Sequence, residues 1–346
     1  MTDTKKPSFG DRLRAAKKSG TSKPPTKLKV VAPHEARRSS EYWDYARDGM
    51  TKSSLEVFLR CREQFRLQYV EGWMGKGCNM GFAFGNLLHW HIARFLDKKV
   101  KRIPVAEQCG LYHQMWIKEH PLASPRQKET MEMAYTYMEA LWPYYVSVYQ
   151  DDQLKDWVKI EDNFEVPITD CGTIIRGIFD GVYRSNGGTT WVFETKGMSR
   201  IDEMDIENTL PFSLQNMLYV AAFWRETGVL PSGVCYNVIR RPGQELKKGE
   251  NFGDFRDRIQ ADIEKRPDWY FMRWEIEITK KQVETWYHRT LVPMLNDVAQ
   301  WAAGGIHYLN PEALVTKYGR CDLFDVMVND NYAFVERKNV SSRYER

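Results

Sequence analysis

The chain of 346 residues has no apolar run near the roughly 18 residues that span a bilayer, which argues against a membrane-crossing helix. Its six cysteines, at 61, 78, 109, 171, 235 and 321, form no Cys-x-x-Cys pair. That spacing argues against a zinc knuckle or a thioredoxin-type redox motif. Scattered thiols in a chain large enough to bury its own core read as reduced. No Gly-x-x-x-x-Gly-Lys-Ser/Thr loop occurs, so a nucleotide-driven motor is not expected. The first residues are basic but lack the apolar stretch of a secretory signal, and Asp3 and Asp11 argue against an organellar presequence. A cytoplasmic protein is the expectation. Net charge is also small: 50 Lys and Arg against 46 Asp and Glu leave +4. That average conceals an asymmetry. Residues 1–40 hold eleven Lys and Arg against three acids, a net +8, and the rest of the chain is at −4.

What is present is apolar and aromatic. Hydrophobic residues make up 42% and aromatics 13%, including 12 Trp, enough for one elaborated domain or two. Residues 1–40, rich in Lys, Ser, Pro and Gly, are expected to be a disordered basic tail. Periodicity predicts a helix over 51–73, capped by Ser53 or Ser54, and further helices over 81–97, about 104–119 and 126–149. Pro143 is expected to kink the last of these or end it early. Strands follow at 160–168, 173–183 and 189–197, with a hairpin turn at SNGG, 185–188. A helix ending at Gly228, a strand at 233–241, a Gly/Lys-rich loop at 242–253 and a helix over 253–265 come next. A strand at 271–279 and a helix over 280–303 follow. The last forty residues read as loop, with a short strand near YAFVER. The expected fold class is α/β: a central mixed β-sheet flanked by helices, with an N-terminal helical insertion. Within a domain over 41–346, helices occupy about 51–150, the core about 157–241 and a helix/strand extension 242–346.

Chemistry concentrates between Arg176 and Lys196. Asp180 lies on one strand, and Glu194 and Lys196 share a face of the next by the period of two. The SNGG hairpin brings these strands together, so two carboxylates and an ammonium converge. Such a site holds Mg²⁺ or Mn²⁺, which can polarise a phosphodiester and acidify a bound water. A surface hairpin with an ordinary Glu–Lys pair is the plainer alternative. Arg176 and Arg184 flank the strand and either contact phosphate or face solvent. His89 stands one helical turn from Gly85, a step that allows close approach, while His91 points elsewhere and Trp90 is expected to pack. Gln215 and Tyr219 are i and i+4 on a helix whose Leu214, Leu218 and Ala221 supply a core stripe.

Taken in order, these segments resemble the PD-(D/E)XK nuclease superfamily, in its RecB-like and phage exonuclease branch, from about residue 51 to 325. SSLEVFLRCREQFRLQYV resembles that branch's opening helix. FGNLLHWHI carries Gly85 and His89, GIFDGVY carries Asp180, FETKG carries Glu194 and Lys196, and SLQNMLYV carries Gln215 and Tyr219. The resemblance implies a restriction-endonuclease-like core. It implies that His89, Asp180, Glu194 and the carbonyl of Thr195 hold the ion, and that Lys196 orients a water. Gln215 and Tyr219 would border the site and contact DNA or Lys196. Many relatives carry a [4Fe–4S] cluster on four cysteines. Here only Cys61 and Cys321 match, so no cluster is expected, though the C-terminal segment should still fold back on the opening helix. The implied function is a metal-dependent DNA exonuclease of phage or bacterial recombination, replication or repair. The alternatives are a structure-selective endonuclease of the same fold and a catalytically idle DNA-binding or recruitment protein. The basic tail would be a solvated extension, a source of phosphate affinity, or a dock for a replication or recombination partner.

Overall fold

A computed structural model describes residues 38–338 except 78, 317 and 318, so most of the basic tail lies outside the described residues. The described chain starts engaged: the Arg38 guanidinium lies 4.5 Å over Trp301, and the Ser40 hydroxyl donates to the Val70 carbonyl.

A short helix α1 (Tyr45–Asp48) leads into strand β1 (Met50–Thr51) and helix α2 (Lys52–Arg60). Thr51 caps α2, not Ser53 or Ser54; Ser54 returns the favour by accepting the Thr51 N–H, which closes a capping box. The helix read as continuous over 51–73 breaks at Cys61 and ends at Val70, with Trp73 already in a strand. The Cys61 backbone turns extended, and its Sγ accepts the Gln64 N–H at 3.4 Å. That restarts the chain as α3 (Arg62–Phe65) and a π-turn over Arg66–Val70.

Strand β2 (Trp73–Gly75) precedes α4 (Met80–Leu96), α5 (Val105–Glu119) and α6 (Pro125–Val148). Pro143 neither ends α6 nor interrupts it. It removes one N–H donor, while Leu141, Trp142 and Tyr145 beside it are buried and hold the helix in place. Then come β3 (Asp156–Ile168), β4 (Thr173–Arg184) and β5 (Thr190–Met198), with the SNGG turn closed by the Gly188 N–H on the Ser185 carbonyl. Helices α7 (Glu203–Thr209) and α8 (Leu214–Thr227) follow, the second stopped by Gly228 at φ +74°. Next are β6 (Gly233–Arg240), α9 (Phe252–Lys265), α10 (Pro267–Tyr270) and β7 (Phe271–Glu277). Helices α11 (Lys280–Trp286) and α12 (Val292–Ala302) flank a π-turn.

The C-terminal part is more structured than its sequence suggests. After β8 (Val315–Thr316) and β9 (Gly319–Arg320) it forms α13 (Phe324–Asn329) and β10 (Val335–Arg337). Strand β10 pairs antiparallel with β2, and Leu323, Val326 and Val335 pack on Leu67 of the opening segment. The fold-back therefore exists. Burial pushes the Cys321 thiol up, and Asp322 and Cys61 add to the shift.

A six-stranded mixed sheet forms the centre, with β1, β4, β5, β6 and β7 in line and β3 on the other edge of β4. Two cores lie on its two faces. Val182, Val192 and Val234 point to the face covered by α2, α8 and α12, with Phe58, Leu218 and Trp301. Tyr183, Phe193 and Cys235 point to the face covered by α4, α6 and α9, with Leu88, Met138 and Ile259. The alternation along each strand builds this three-layer sandwich. Helix α4 sits close because Gly197 of β5 has no side chain: a Cβ there would lie 2.9 Å from the Phe84 ring and 3.4 Å from Leu88. Among the described residues, no helix is long and apolar enough to cross a membrane.

Candidate metal centre and active site

Strand β4 has β3 along one whole edge, but two strands share its other edge. β1 pairs in parallel at Ile175 and Arg176, and β5 pairs antiparallel from Gly181 to Arg184. Among the described residues no strand fills that edge between them, from 177 to 180. Beyond the last rung, Gly181 opposite Phe193, β5 diverges and carries Glu194 and Lys196 away from β4. Asp180 stands at this fork. Its Oδ2 accepts the Thr195 N–H at 2.6 Å, a donor released by the broken ladder.

The alternation of faces slips at the same place. Phe179 packs on Phe164 and Tyr219, under α8, whereas Gly181 faces Trp157 on the opposite side. On the neighbouring strand Ile160 pairs with Gly181 and Asp162 with Phe179, which sets Glu161 across from Asp180. Glu161 has φ +44°, a strained left-handed backbone for a residue with a side chain. The strain re-aims its carboxylate into the cleft.

Six side chains meet there. From α4, His89 Nδ1 lies 3.3 Å from Asp180 Oδ1 and 3.4 Å from Glu161 Oε1. From β5, the Lys196 ammonium donates to Glu194 Oε1, and Gln215 Nε2 from α8 donates to the same oxygen at 2.6 Å. Glu194 Oε2 is buried with no hydrogen-bond partner. Tyr219, one turn after Gln215, is buried edge-on against the Phe164 and Phe179 rings.

Electrostatics follow from this crowding. Burial works against ionising Asp180, but the positive charge and hydrogen bond of His89, with help from Lys196, hold it below the usual carboxylate range. Burial and the Asp180 charge push Glu194 up to about 7. Burial disfavours the His89 imidazolium, yet the Asp180 and Glu161 carboxylates outweigh it and raise His89 to about 10. Lys196 also stays above its ordinary value, because its burial is outweighed by Glu194 and Asp180. One imidazole and two carboxylate ligand atoms, from His89, Glu161 and Asp180, lie within 4.8 Å of one another. Together with the orphaned oxygen of Glu194 they form a hard, oxygen-rich donor set, which suits Mg²⁺ or Mn²⁺. The cleft above them has a volume of about 970 Å³ and is also lined by Trp90, Arg94 and Arg176.

Behind the cluster lies a buried polar chain. Thr195 Oγ1 accepts from Asn237 Nδ2 at 3.4 Å, and Asn237 Oδ1 accepts two N–H groups of Arg273, at 2.9 and 3.2 Å. Arg273 also forks onto Asp152 at 2.8 and 2.9 Å. Asn237 is fully buried and Asp152 nearly so.

The structure thus brings together His89, Asp180, Glu194, Lys196, Gln215 and Tyr219. At Thr195 the recorded contact with the cluster runs through its N–H. Gly85 plays no part in close approach: a Cβ there would meet nothing within 4 Å, and Gly197 is where helix and strand touch. His91 is buried with Nδ1 2.8 Å from the Leu87 carbonyl, and burial holds it down at about 4. Trp90 packs edge-on against Tyr112 while still bordering the cleft. Arg176 lines the cleft and pairs with Glu165, whereas Arg184 pairs with Asp156 in solvent. Sequence reasoning missed Glu161 and the Asn237–Arg273–Asp152 chain. Counting back from the turn at 169–172, where Ile168 faces Thr173, reaches Glu161 opposite Asp180.

Comparison with known proteins addresses the family. No curated protein matches the chain. A crystal structure from Eubacterium rectale, provisionally named an exonuclease, is similar at 10% identity and a TM-score of 0.45, covering 93% of this chain and 99% of that one. The crystal structure of SSO0001 is similar at 15% identity and a TM-score of 0.26, covering 64% and 84%. Neither likeness is close enough to carry weight. The sequence profile of the PD-(D/E)XK nuclease superfamily, however, matches residues 50–306, most of the chain, and the chain belongs to that superfamily.

Proposed function

We propose that this protein is a Mg²⁺- or Mn²⁺-dependent deoxyribonuclease that degrades DNA from its ends, in phage or bacterial recombination, replication or repair. The observation that carries the reading is Glu194 Oε2, a buried carboxylate oxygen with no partner, set beside Asp180 and His89 on an open cleft. An unpartnered carboxylate oxygen inside a protein is costly unless a cation completes it.

Asp180, Glu161, Glu194 and His89 would hold the ion, with the Thr195 N–H tying Asp180 in place. When bound, the ion supplies Lewis acidity to the scissile phosphodiester and a water acidified toward neutrality. Lys196 remains an ammonium at neutral pH, so it is a donor and not the base. It orients the attacking water and offsets charge on the phosphoryl oxygens. Gln215 fixes the Glu194 carboxylate from the opposite side. Attack at phosphorus opposite the 3′-oxygen breaks the P–O3′ bond and leaves a 5′-phosphate.

The test is digestion of end-labelled linear and of circular DNA, single- and double-stranded, with Mg²⁺, with Mn²⁺ and with EDTA. Linear DNA should be lost, circular DNA should survive, and Asp180→Ala and Lys196→Ala should abolish the activity. Undiminished cleavage by Asp180→Ala overturns the site; cleavage of circular DNA overturns the exonuclease reading and makes the protein an endonuclease.

A further inference from the structure

Helix α4 carries His89 into the metal cluster, and the chain that continues from it, residues 94–102, holds five cations (Arg94, Lys98, Lys99, Lys101, Arg102) against one acid, Asp97. This is a dense positive stretch in a part of the chain that is otherwise net negative. Several cations elsewhere in the body are paired with carboxylates: Arg62 with Asp297, Arg66 with Glu63, Arg258 with Glu250, Arg273 with Asp152. Among the described residues, none of the five cations of 94–102 forms an ion pair. Lys98 donates to the Lys155 carbonyl at 3.2 Å and Arg102 to the Gln153 side chain, contacts that hold the stretch in place and leave its charge uncompensated.

The position of the stretch is what gives it meaning. Arg94, Asp97 and Val100 line the catalytic cleft itself. A second hollow of about 270 Å³ shares Arg94 and Val100 with that cleft and continues past Lys101 and Arg102. Arg94 stands at the junction, with its guanidinium 4.7 Å over the Trp90 ring and its Nε buried without an acceptor. Arg94 is five residues beyond His89, about 7.5 Å along the helix at roughly 1.5 Å per residue. A polyanion leaving the metal cluster on this side would meet Arg94 first and then the lysines.

We infer that residues 94–102 form the track for the phosphodiester backbone of the substrate strand on one side of the scissile bond. Arg94 receives the first phosphate beyond the cluster; Lys98, Lys99, Lys101 and Arg102 receive those that follow. Trp90, with Tyr112 edge-on at 5.6 Å, offers a ring face to a base at the same step. The assignment rests on the nuclease reading above, and it names the surface by which a net-negative body takes hold of a polyanion.

The test is binding of a fluorescent single-stranded oligonucleotide to the full chain in EDTA, over a series of NaCl concentrations. Each phosphate contact contributes about 0.7 to the slope of log affinity against log salt for a single strand. The triple variant Lys98→Ala/Lys99→Ala/Lys101→Ala should therefore lose about 2 from that slope, and on the order of 100-fold in affinity at ~0.1 M salt. These lysines are exposed, so the variant should fold as the unsubstituted protein does. A control with the same loss of charge, Lys248→Ala/Lys265→Ala/Lys281→Ala, should keep both slope and affinity. Equal slopes for the triple variant and the unsubstituted protein overturn the track while leaving the nuclease reading intact. Equal losses in the triple variant and the control also overturn it, because bulk charge would then be the cause. Failure of the unsubstituted protein to bind or cut DNA overturns both.

Discussion

Replacing Arg273 with Met tests whether the buried chain behind the metal cluster is a supporting strut. Met keeps most of the side chain's length but removes five donors and one charge. Asp152, 3% exposed, would keep Lys155 at 2.9 Å but lose the two-pronged contact from Arg273. Breaking a buried ion pair on one side costs about 3–5 kcal/mol. Asn237 Oδ1 would also lose both donors, a further ~1–3 kcal/mol if nothing replaces them. Lys155 offsets part of this, so a net loss of roughly 4 kcal/mol is expected. Urea unfolding in EDTA measures it, with Asp152→Leu and the double variant completing a thermodynamic cycle. The double variant should recover well over 1 kcal/mol of the summed single losses, because no buried charge is left alone. The effect should reach the metal as well. Asn237 would lose its anchor, Thr195 its hydrogen bond, and Mn²⁺ affinity should fall by about 10–100-fold, the usual cost of an outer partner of a metal ligand. A single-variant loss below about 1 kcal/mol with an additive cycle would refute the strut; unchanged Mn²⁺ affinity would confine its role to folding.

Other consequences can be checked with similar means. Glu194 sits at about 7 in the fold against 4.5 as its ordinary value, so its contribution is fully present below 4.5 and is lost as pH rises through 7. In EDTA near pH ~8.5 the Glu194→Gln protein should therefore be more stable than the unsubstituted one, by about 3 kcal/mol from roughly 1.36 kcal/mol per pKa unit, and the gap should close near pH ~4.5. A less stable variant at the higher pH would count against this assignment. His89, raised to about 10, and Glu194, raised to about 7, must both be deprotonated to ligate a metal, so Mn²⁺ binding near neutral pH should release at least one proton, that of His89 in full and part of Glu194's, and tighten as pH rises. Calorimetry in buffers of different ionisation enthalpy reads that release, and a buffer-independent heat would sink the claim. Gly197→Val should cost about 1–3 kcal/mol and weaken metal binding, because its side chain meets Phe84 and lifts α4, with His89, off the sheet. Preserved affinity would show that α4 need not sit so close.

Local patterns made much of this molecule legible. The alternation in FETKG and the SNGG turn were enough to place Glu194, Lys196 and Asp180 together, because both act within a few residues. The helical repeat put Gln215 and Tyr219 on one face, but their place beside the cluster came from the family resemblance. Glu161 escaped because its role depends on register across a long hairpin and on a strained backbone that no local preference announces. The Asn237–Arg273–Asp152 chain joins three separated segments, and an asparagine inside an apolar strand gives no hint of its partners. Cys61 stopped a helix that periodicity continued, since its thiol competes for a backbone N–H. Pro143 did the reverse: the burial around it outweighed one missing hydrogen bond. Strands β1 and β2, of two and three residues, are defined by partners far along the chain, β4 and β10.

At the fork between β4 and β5, the amide proton of Thr195 is held by the Asp180 side chain and not by a neighbouring strand. Most protected amides in a sheet report the integrity of the whole layer, since they exchange when the layer opens. This one answers to a single carboxylate. Its hydrogen-exchange rate becomes an internal gauge of that carboxylate: slow while Asp180 is ionised and seated, faster once it is protonated or turned aside. The protein thus carries, one residue from Glu194 and one from Lys196, an isotopic reporter of the state of its own centre, readable without substrate and without turnover.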